Sequence, residues 1–124
     1  MNEYLKQIKT LIANNPNMFD DLKEKHRDDF LRWLDDNTHV VRAFGRYAIQ
    51  LKEQGHREYY SAYAIRERLR WDSMLSEVGT EYKLSNNMTP FLARLMMKMD
   101  RRLAGIFRTK NMQNDDFVQD DFLK

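Results

Sequence analysis

The stretch TPFLARLMMKMDRRL, residues 89–103, decides the fold that the sequence predicts. Thr89 is a typical residue for capping a helix, and Pro90 fits the first helical position after such a cap. Apolar residues then recur every three or four positions, which is the spacing of one face of an α-helix. The residues predicted to be buried on this face are Leu92, Leu95, Met96, Met99 and Leu103. We therefore predict a helix over 90–103.

The same spacing recurs in the rest of the chain and predicts an all-α fold. The other predicted helices cover 2–14, 18–36, 39–54 and 62–77, and Gly55 and Gly79 end the last two. In the helix 62–77, the side chains predicted to lie together on one side are Ile65, Leu69, Trp71 and Leu75. A short extended piece is predicted near 81–84. The expected architecture is a compact single-domain bundle of five helices.

Two pairs of predicted helices resemble a helix-turn-helix. One pair is 62–77 with 90–103, in which the second helix would enter the groove of DNA; the other is 39–54 with 62–77. The connection 79–88 is longer than the usual turn of about three or four residues. A plain bundle is therefore the favoured arrangement.

Length and composition predict one globular domain, 1–111, followed by a mobile acidic tail, 112–124. The chain has 124 residues, 42% of them apolar and 32% charged. It has no cysteine, which excludes disulfides and thiolate metal sites and is typical of the cytoplasm. No apolar run approaches the roughly 20 residues of a membrane span. No catalytic, cofactor or metal motif is present, so we predict neither an enzyme nor a bound cofactor or metal.

Charge is distributed unevenly along the chain. Residues 1–38 contain six Lys/Arg and eight Asp/Glu, whereas residues 39–110 contain 14 Lys/Arg and seven Asp/Glu. Residues 111–124 contain one Lys and four Asp. A basic body between acidic ends suggests an anionic partner, and phosphate is a natural one for arginine.

Cationic residues recur at helical spacing on the three helices after residue 38. The residues predicted to contact nucleic acid are Arg42, Arg46, Tyr63, Arg66, Arg70, Arg94, Lys98 and Arg101. The alternative is that these side chains form ordinary solvated faces. A second, smaller anion site is predicted from Arg68, Lys83, Asn86 and Asn87, provided that the loop 80–88 folds over the helix 62–77. The alternative there is that these side chains only bond the loop and cap the next helix.

The acidic tail carries Phe117, Phe122 and Leu123 among its aspartates. It could lie on the protein's own basic face, or it could dock in a partner's apolar pocket rimmed by basic residues. A solubilising end without a partner is the third interpretation.

From Trp33 to Lys110 the chain resembles a family of small, functionally uncharacterised proteins of bacteria, prophages and phages. The resemblance is carried by several short segments: Asn37–Phe44, Tyr60-Ser61-Ala62 with Ile65, Arg68-Leu69-Arg70-Trp71, Tyr82-Lys83-Leu84-Ser85-Asn86-Asn87, Ala93-Arg94 and Phe107-Arg108. The family often has Pro where this chain has His39, and an aromatic residue where it has Leu92. The resemblance implies a mobile-element setting but no mechanism.

These observations predict a small cytoplasmic accessory or regulatory protein that binds nucleic acid. The salt dependence of its binding to nucleic acid tests this prediction. The alternative is a protein-interaction module, such as a phage-encoded modulator of a host complex, acting through an aromatic surface and the tail. A third expectation is a homo-oligomer formed through the methionine-rich helix 90–103.

Overall fold

The computed structural model describes residues 2–75 and 84–107, and these residues form an all-helical bundle. The elements are α1 (Glu3–Asn14), α2 (Glu24–Asp36), α3 (Thr38–Gln54), α4 (Ala62–Leu75) and α5 (Thr89–Met99), followed by a 3-10 turn, Arg101–Leu103. The predicted all-α class and the five helices are therefore confirmed. The extended piece expected near 81–84, except for Leu84, and the tail 112–124 lie outside the described residues.

Helix α5 contacts elements from both the N-terminal and the C-terminal parts of the bundle. It packs against α1, α4 and the 3-10 turn. The Phe91 ring lies with its centroid 5.1 Å from that of Phe19 and 5.4 Å from that of Phe30. Leu92 and Leu95 are fully buried on the same helix. Because aromatic side chains bury large apolar areas, this contact fixes the N-terminal segment and α2 against α5.

The start and the end of α5 differ from the prediction. Met88, not Thr89, is the N-cap residue, and Thr89 is fully buried and donates its Oγ1 hydrogen to the Ser85 carbonyl at 2.9 Å. The helix ends at Met99 rather than at 103, because Asp100 adopts an extended conformation (φ −127°, ψ 118°). The Asp100 carboxylate accepts from the Arg102 N–H at 2.9 Å, which caps the 3-10 turn instead.

The helix predicted over 18–36 begins only at Glu24. Before it the chain forms tight turns, in which Met18 donates to the Asn15 carbonyl and Leu22 to the Phe19 carbonyl, each at 3.0 Å. These turns fold Phe19 back into the core, where its ring centroid lies 5.8 Å from that of Phe30. In a continuous helix Phe19 and Phe30 would lie about 16 Å apart along the axis, which is too far for this contact.

The connection between α3 and α4 brings the end of the described chain to the start of α4. Gly55 ends α3 as predicted, and its N–H donates to the Leu51 carbonyl at 2.8 Å. The Tyr60 hydroxyl occupies the space that a Cβ at Gly55 would need. The Tyr60 N–H donates to the Ile106 carbonyl at 2.9 Å, and Tyr60 forms a parallel bridge with Phe107. Phe107 therefore lies beside Tyr60, two residues before the start of α4.

Neither predicted helix-turn-helix pair has a short turn. Residues 55–61 connect α3 to α4, and the part of the connection between α4 and α5 that the structure describes, residues 84–88, is not helical. Both connections exceed the roughly three or four residues of that motif. The structure therefore favours the plain bundle.

Candidate functional site

Helix α4 is apolar on two opposite sides. Its inner side packs against α3 and α5 and is formed by Ala62, Ile65, Leu69 and Ser73. Its outer side carries Tyr63, Trp71, Met74 and Leu75, which we call the Trp71 face. At about 100° per residue, those four side chains fall within an arc of about 120° that lies opposite the inner side. The prediction that Trp71 and Leu75 share a side with Ile65 and Leu69 was therefore wrong.

The Trp71 face is exposed to solvent. Trp71 is 59% exposed, Met74 60%, Leu75 67% and Tyr63 45%. Within residues 2–75 and 84–107, all the large apolar side chains that are exposed lie on this one helix. Single exposed apolar residues are common on protein surfaces, whereas their concentration on one face makes that face a candidate interaction site.

Charged side chains border the Trp71 face. Arg68 and Arg70 precede Trp71 on either side of the face, and both are exposed. No carboxylate in the part of the chain that the structure describes forms an ion pair with Arg70. Glu67 lies between them on the face and pairs with Arg66. The border is thus mainly cationic, and Arg70 takes no part in the ion pairs formed by the described residues.

A groove of about 290 Å³ lies beside this face, between α3 and α4. Residues of α3 form one wall, and Ala64, Ile65 and Arg68 form the other. On α4, Ala64 and Arg68 stand next to Trp71 and Leu75 in helical position. The groove and the Trp71 face are therefore neighbouring parts of one surface.

A hydrogen-bonded cluster holds one end of this groove. The Tyr47 hydroxyl of α3 donates to the Asp72 carboxylate of α4. Arg68 donates from Nε to the other oxygen of Asp72 at 3.3 Å, and its guanidinium lies 5.1 Å from the Tyr47 ring centroid. The hydrogen bond to Asp72 and partial burial raise the pKa of Tyr47, so the phenol stays protonated at neutral pH. The cluster fixes α4 against α3 and thereby sets the orientation of the Trp71 face.

Two of the eight residues predicted to contact nucleic acid are used within the fold. The Arg94 side chain is only 10% exposed, and its guanidinium forms a two-bond pair with Asp21, with the Nε–Oδ1 distance at 2.9 Å. The Arg66 side chain is 13% exposed, and its Nε donates to the Leu84 carbonyl at 2.7 Å. A phosphate would have to displace these bonds, so neither arginine belongs to an open cationic stripe.

The other six lie in separate surroundings. Arg42 stacks at 3.9 Å over the Tyr4 ring, and with Arg46 it lines a second groove, near Met96 and Met99. Burial raises the pKa of Tyr4, although the charge of Arg42 acts in the opposite direction. Elsewhere, Lys98 lies beside the turn at 14–18, Arg101 is exposed in the 3-10 turn, and Tyr63 and Arg70 are exposed on α4. Of the grooves described here, none is lined by more than two of these six side chains.

The smaller anion site is likewise not assembled by the residues that the structure describes. Arg68 faces the groove with α3, whereas the Asn86 carbonyl accepts from the Tyr63 hydroxyl at 3.4 Å on the other side of α4. The segment after 83 does approach α4, but Arg66 rather than Arg68 holds it. Asn87 is exposed, and Lys83 lies outside the described residues.

The methionines of α5 are turned inward. Met96 is 3% exposed, and Met97 and Met99 are partly buried against the core.

Sequence reasoning missed the Trp71 face although a signal was present. Trp71, Met74 and Leu75 are spaced as neighbours on a helix, and that set is rotated by about half a turn from Ile65 and Leu69.

Among the described residues, no group of three or more His, Asp or Glu side chains could hold a metal ion.

The comparisons with known proteins give no further guidance. No family model, curated protein or solved structure matches this chain.

In the described part of the chain, every helix is too short or too polar to cross a lipid bilayer.

Proposed function

We propose that this chain is a protein-interaction module that binds its partner through the Trp71 face and the adjoining groove between α3 and α4. The observation that carries this proposal is that the exposed large apolar side chains of the described residues all lie on one face of α4. The fold does not need them, because the inner side of the same helix already supplies its share of the core.

The composition of the face fits a binding hot spot. Tryptophan, tyrosine and arginine are the residues that most often dominate interface energies, and methionine adapts to irregular partners. Burying the side chains of Trp71, Met74 and Leu75 would contribute several kcal/mol, at about 1.5–3 kcal/mol for each large apolar side chain. That gain is realised only when a partner covers them.

The charges beside the face define the partner's chemistry. Arg68 and Arg70 border Trp71, and Arg70 has no carboxylate partner among the described residues. A segment with aromatic or aliphatic anchors flanked by aspartate or glutamate complements this surface, and the acidic flanks would also fix its register. We propose such an acidic, amphipathic segment of another protein as the ligand class.

Site-specific photocrosslinking in the cell of origin tests this function. A benzoylphenylalanine at position 71 should capture one dominant partner, whereas the same residue at the exposed position 52 of α3 should not. The captured protein is then purified, and its binding is measured to a parent chain that carries Phe117→Ser, Phe122→Ser and Leu123→Ser, so that the chain's own tail cannot compete. The variants Trp71→Ala and Lys52→Ala are compared in that parent. Loss of at least about tenfold in affinity for Trp71→Ala alone is expected for a hot-spot residue. Equal binding by both variants would contradict the proposal.

Single-stranded nucleic acid is a second candidate for the same surface. The exposed indole of Trp71 stands between two exposed arginines, an arrangement on which bases stack while phosphates pair. Fluorescence anisotropy of labelled oligonucleotides distinguishes the two. Nucleic-acid binding should weaken with a log–log salt slope of about −0.7 per phosphate contact and depend on Trp71, whereas absence of binding at about 50 mM salt removes this candidate.

Cellular setting is part of the same proposal. The lack of cysteine and the resemblance to phage and prophage proteins suggest a cytoplasmic protein encoded by a mobile element, and a modulator of a host complex fits a small module with one binding face.

A further inference from the structure

We infer that the chain's own C-terminal segment, residues 112–124, binds the Trp71 face and competes there with the partner. The regulatory consequence rests on the proposed function, but the contact itself does not. The inference combines the chemistry of the face, the chemistry of the segment, and the point from which the described chain delivers it.

The apolar and acidic residues of the segment complement the apolar and cationic residues of the face and its border. Its apolar side chains are Met112, Phe117, Val118, Phe122 and Leu123, and its charges are four aspartates and one lysine. The two aromatic anchors are each preceded by a pair of aspartates. Phe117 and Phe122 can cover apolar surface beside Trp71, while the neighbouring aspartates reach Arg68 and Arg70.

The fold delivers this segment to the right helix. The described chain ends at Phe107, which is bridged to Tyr60, and α4 begins at Ala62. From Ala62 to Trp71 the helix rises about 14 Å. The nine residues 108–116 can span up to about 30 Å, so Phe117 can reach Trp71 without any rearrangement of the helices.

Intramolecular delivery makes even a weak contact effective. A short linker gives an effective concentration of about 1 mM, so a site with an intrinsic affinity of about 0.1 mM would be about nine-tenths occupied. A partner would then bind about tenfold more weakly than to the open face, because only about one-tenth of the molecules are competent.

The two tryptophans allow a direct test on the full chain. Both are labelled as 5-fluorotryptophan, and the fluorine resonance of Trp71 is identified from the Trp71→Phe variant. The test variant carries Phe117→Ser, Phe122→Ser and Leu123→Ser, and the matched control carries Gln113→Ser, Asn114→Ser and Gln119→Ser. Trp33, which packs against the core at a centroid distance of 5.8 Å from Phe30, is the internal reference.

We expect the fluorine resonance of Trp71 to shift in the test variant. The acrylamide quenching of the Trp71 fluorescence should rise about twofold or more, because a mostly occupied site opens. The control variant and the Trp33 resonance should match the wild type, which also shows that the fold is intact. Raising salt from about 50 to 500 mM should move the wild type toward the test variant.

Two results would overturn the inference. One is an identical Trp71 signal in all three proteins at low salt. The other is a wild-type signal that changes with protein concentration, which would assign the contact to a neighbouring molecule. Because this experiment involves no partner, its outcome is independent of the crosslinking test of the proposed function.

Discussion

Helices α4 and α5 are neighbours of similar length, yet they use their apolar residues differently. Helix α5 buries nearly all of its apolar side chains, from Phe91 to Met96, in the core. Helix α4 buries Ile65 and Leu69 and leaves Trp71 and Leu75 in solvent. The difference separates the apolar residues that close the core from those that the described core does not use.

The largest expected effect comes from the α5 side of the comparison. Phe91→Ala should lower the free energy of unfolding by about 3–5 kcal/mol, because it empties the space between Phe19 and Phe30. Urea denaturation measures this loss. A loss below about 1 kcal/mol would show that α5 is not the centre of the core.

Arg94→Ala should have the next largest effect, with a loss of about 2 kcal/mol in the free energy of unfolding. The substitution removes a guanidinium that is only 10% exposed and leaves Asp21, 37% exposed, without this partner. Arg70→Ala on the border of the Trp71 face is the matched control and should change stability by less than about 0.5 kcal/mol. Equal losses in urea denaturation would contradict the division between structural and available arginines.

Tyr47→Phe should cost about 1 kcal/mol, because it removes the hydroxyl that donates to Asp72 across the α3–α4 boundary. Tyr63→Phe is its control, since the Tyr63 hydroxyl makes only an exposed bond of 3.4 Å to the Asn86 carbonyl. Thermal unfolding of both variants measures the difference. Identical midpoints would show that the cluster at the end of the groove does not hold α4.

The smallest expected effect concerns pH. Hydrogen bonds from Arg102 lower the pKa of Asp100 below its ordinary value of 3.8. A lowered carboxyl pKa adds stability that is complete above the ordinary value and is lost as the pH falls toward the value in the folded protein. Asp100→Asn should therefore be less stable than the wild type at pH 7. The gap should narrow below about pH 4 in urea titrations; a gap that is constant with pH would contradict this assignment.

Periodicity predicted the helices well because each depends on local spacing. The positions of Ile65 and Leu69 on the inner side of α4 follow from that spacing alone. The errors arose where contacts between residues distant in the sequence determine the local structure. Thr89 is buried by the turn at 85–88, and the start of α2 is displaced because Phe19 must reach Phe30 and Phe91.

The site was harder to predict than the fold because charge alone does not reveal a partner within the chain. Arg94 and Asp21 are 73 positions apart, and Arg66 and Leu84 are 18 apart, so helical spacing could not show that either arginine was used. Trp71 and Leu75, in contrast, could have been placed on the outer side from their angles around α4.

The central claim is that the Trp71 face lies outside the core, and the stability of one triple variant tests it most directly. Trp71→Ala, Met74→Ala and Leu75→Ala are combined in the full chain, and the free energy of unfolding is measured by urea denaturation beside Leu69→Ala. Alanine favours helix, and the triple variant loses only the contact with the tail, which contributes about 1.4 kcal/mol at nine-tenths occupancy. It should therefore lose no more than about 1.5 kcal/mol, while Leu69→Ala should lose about 2–5 kcal/mol. A loss of several kcal/mol in the triple variant would place these side chains in the protein's own core and contradict the account.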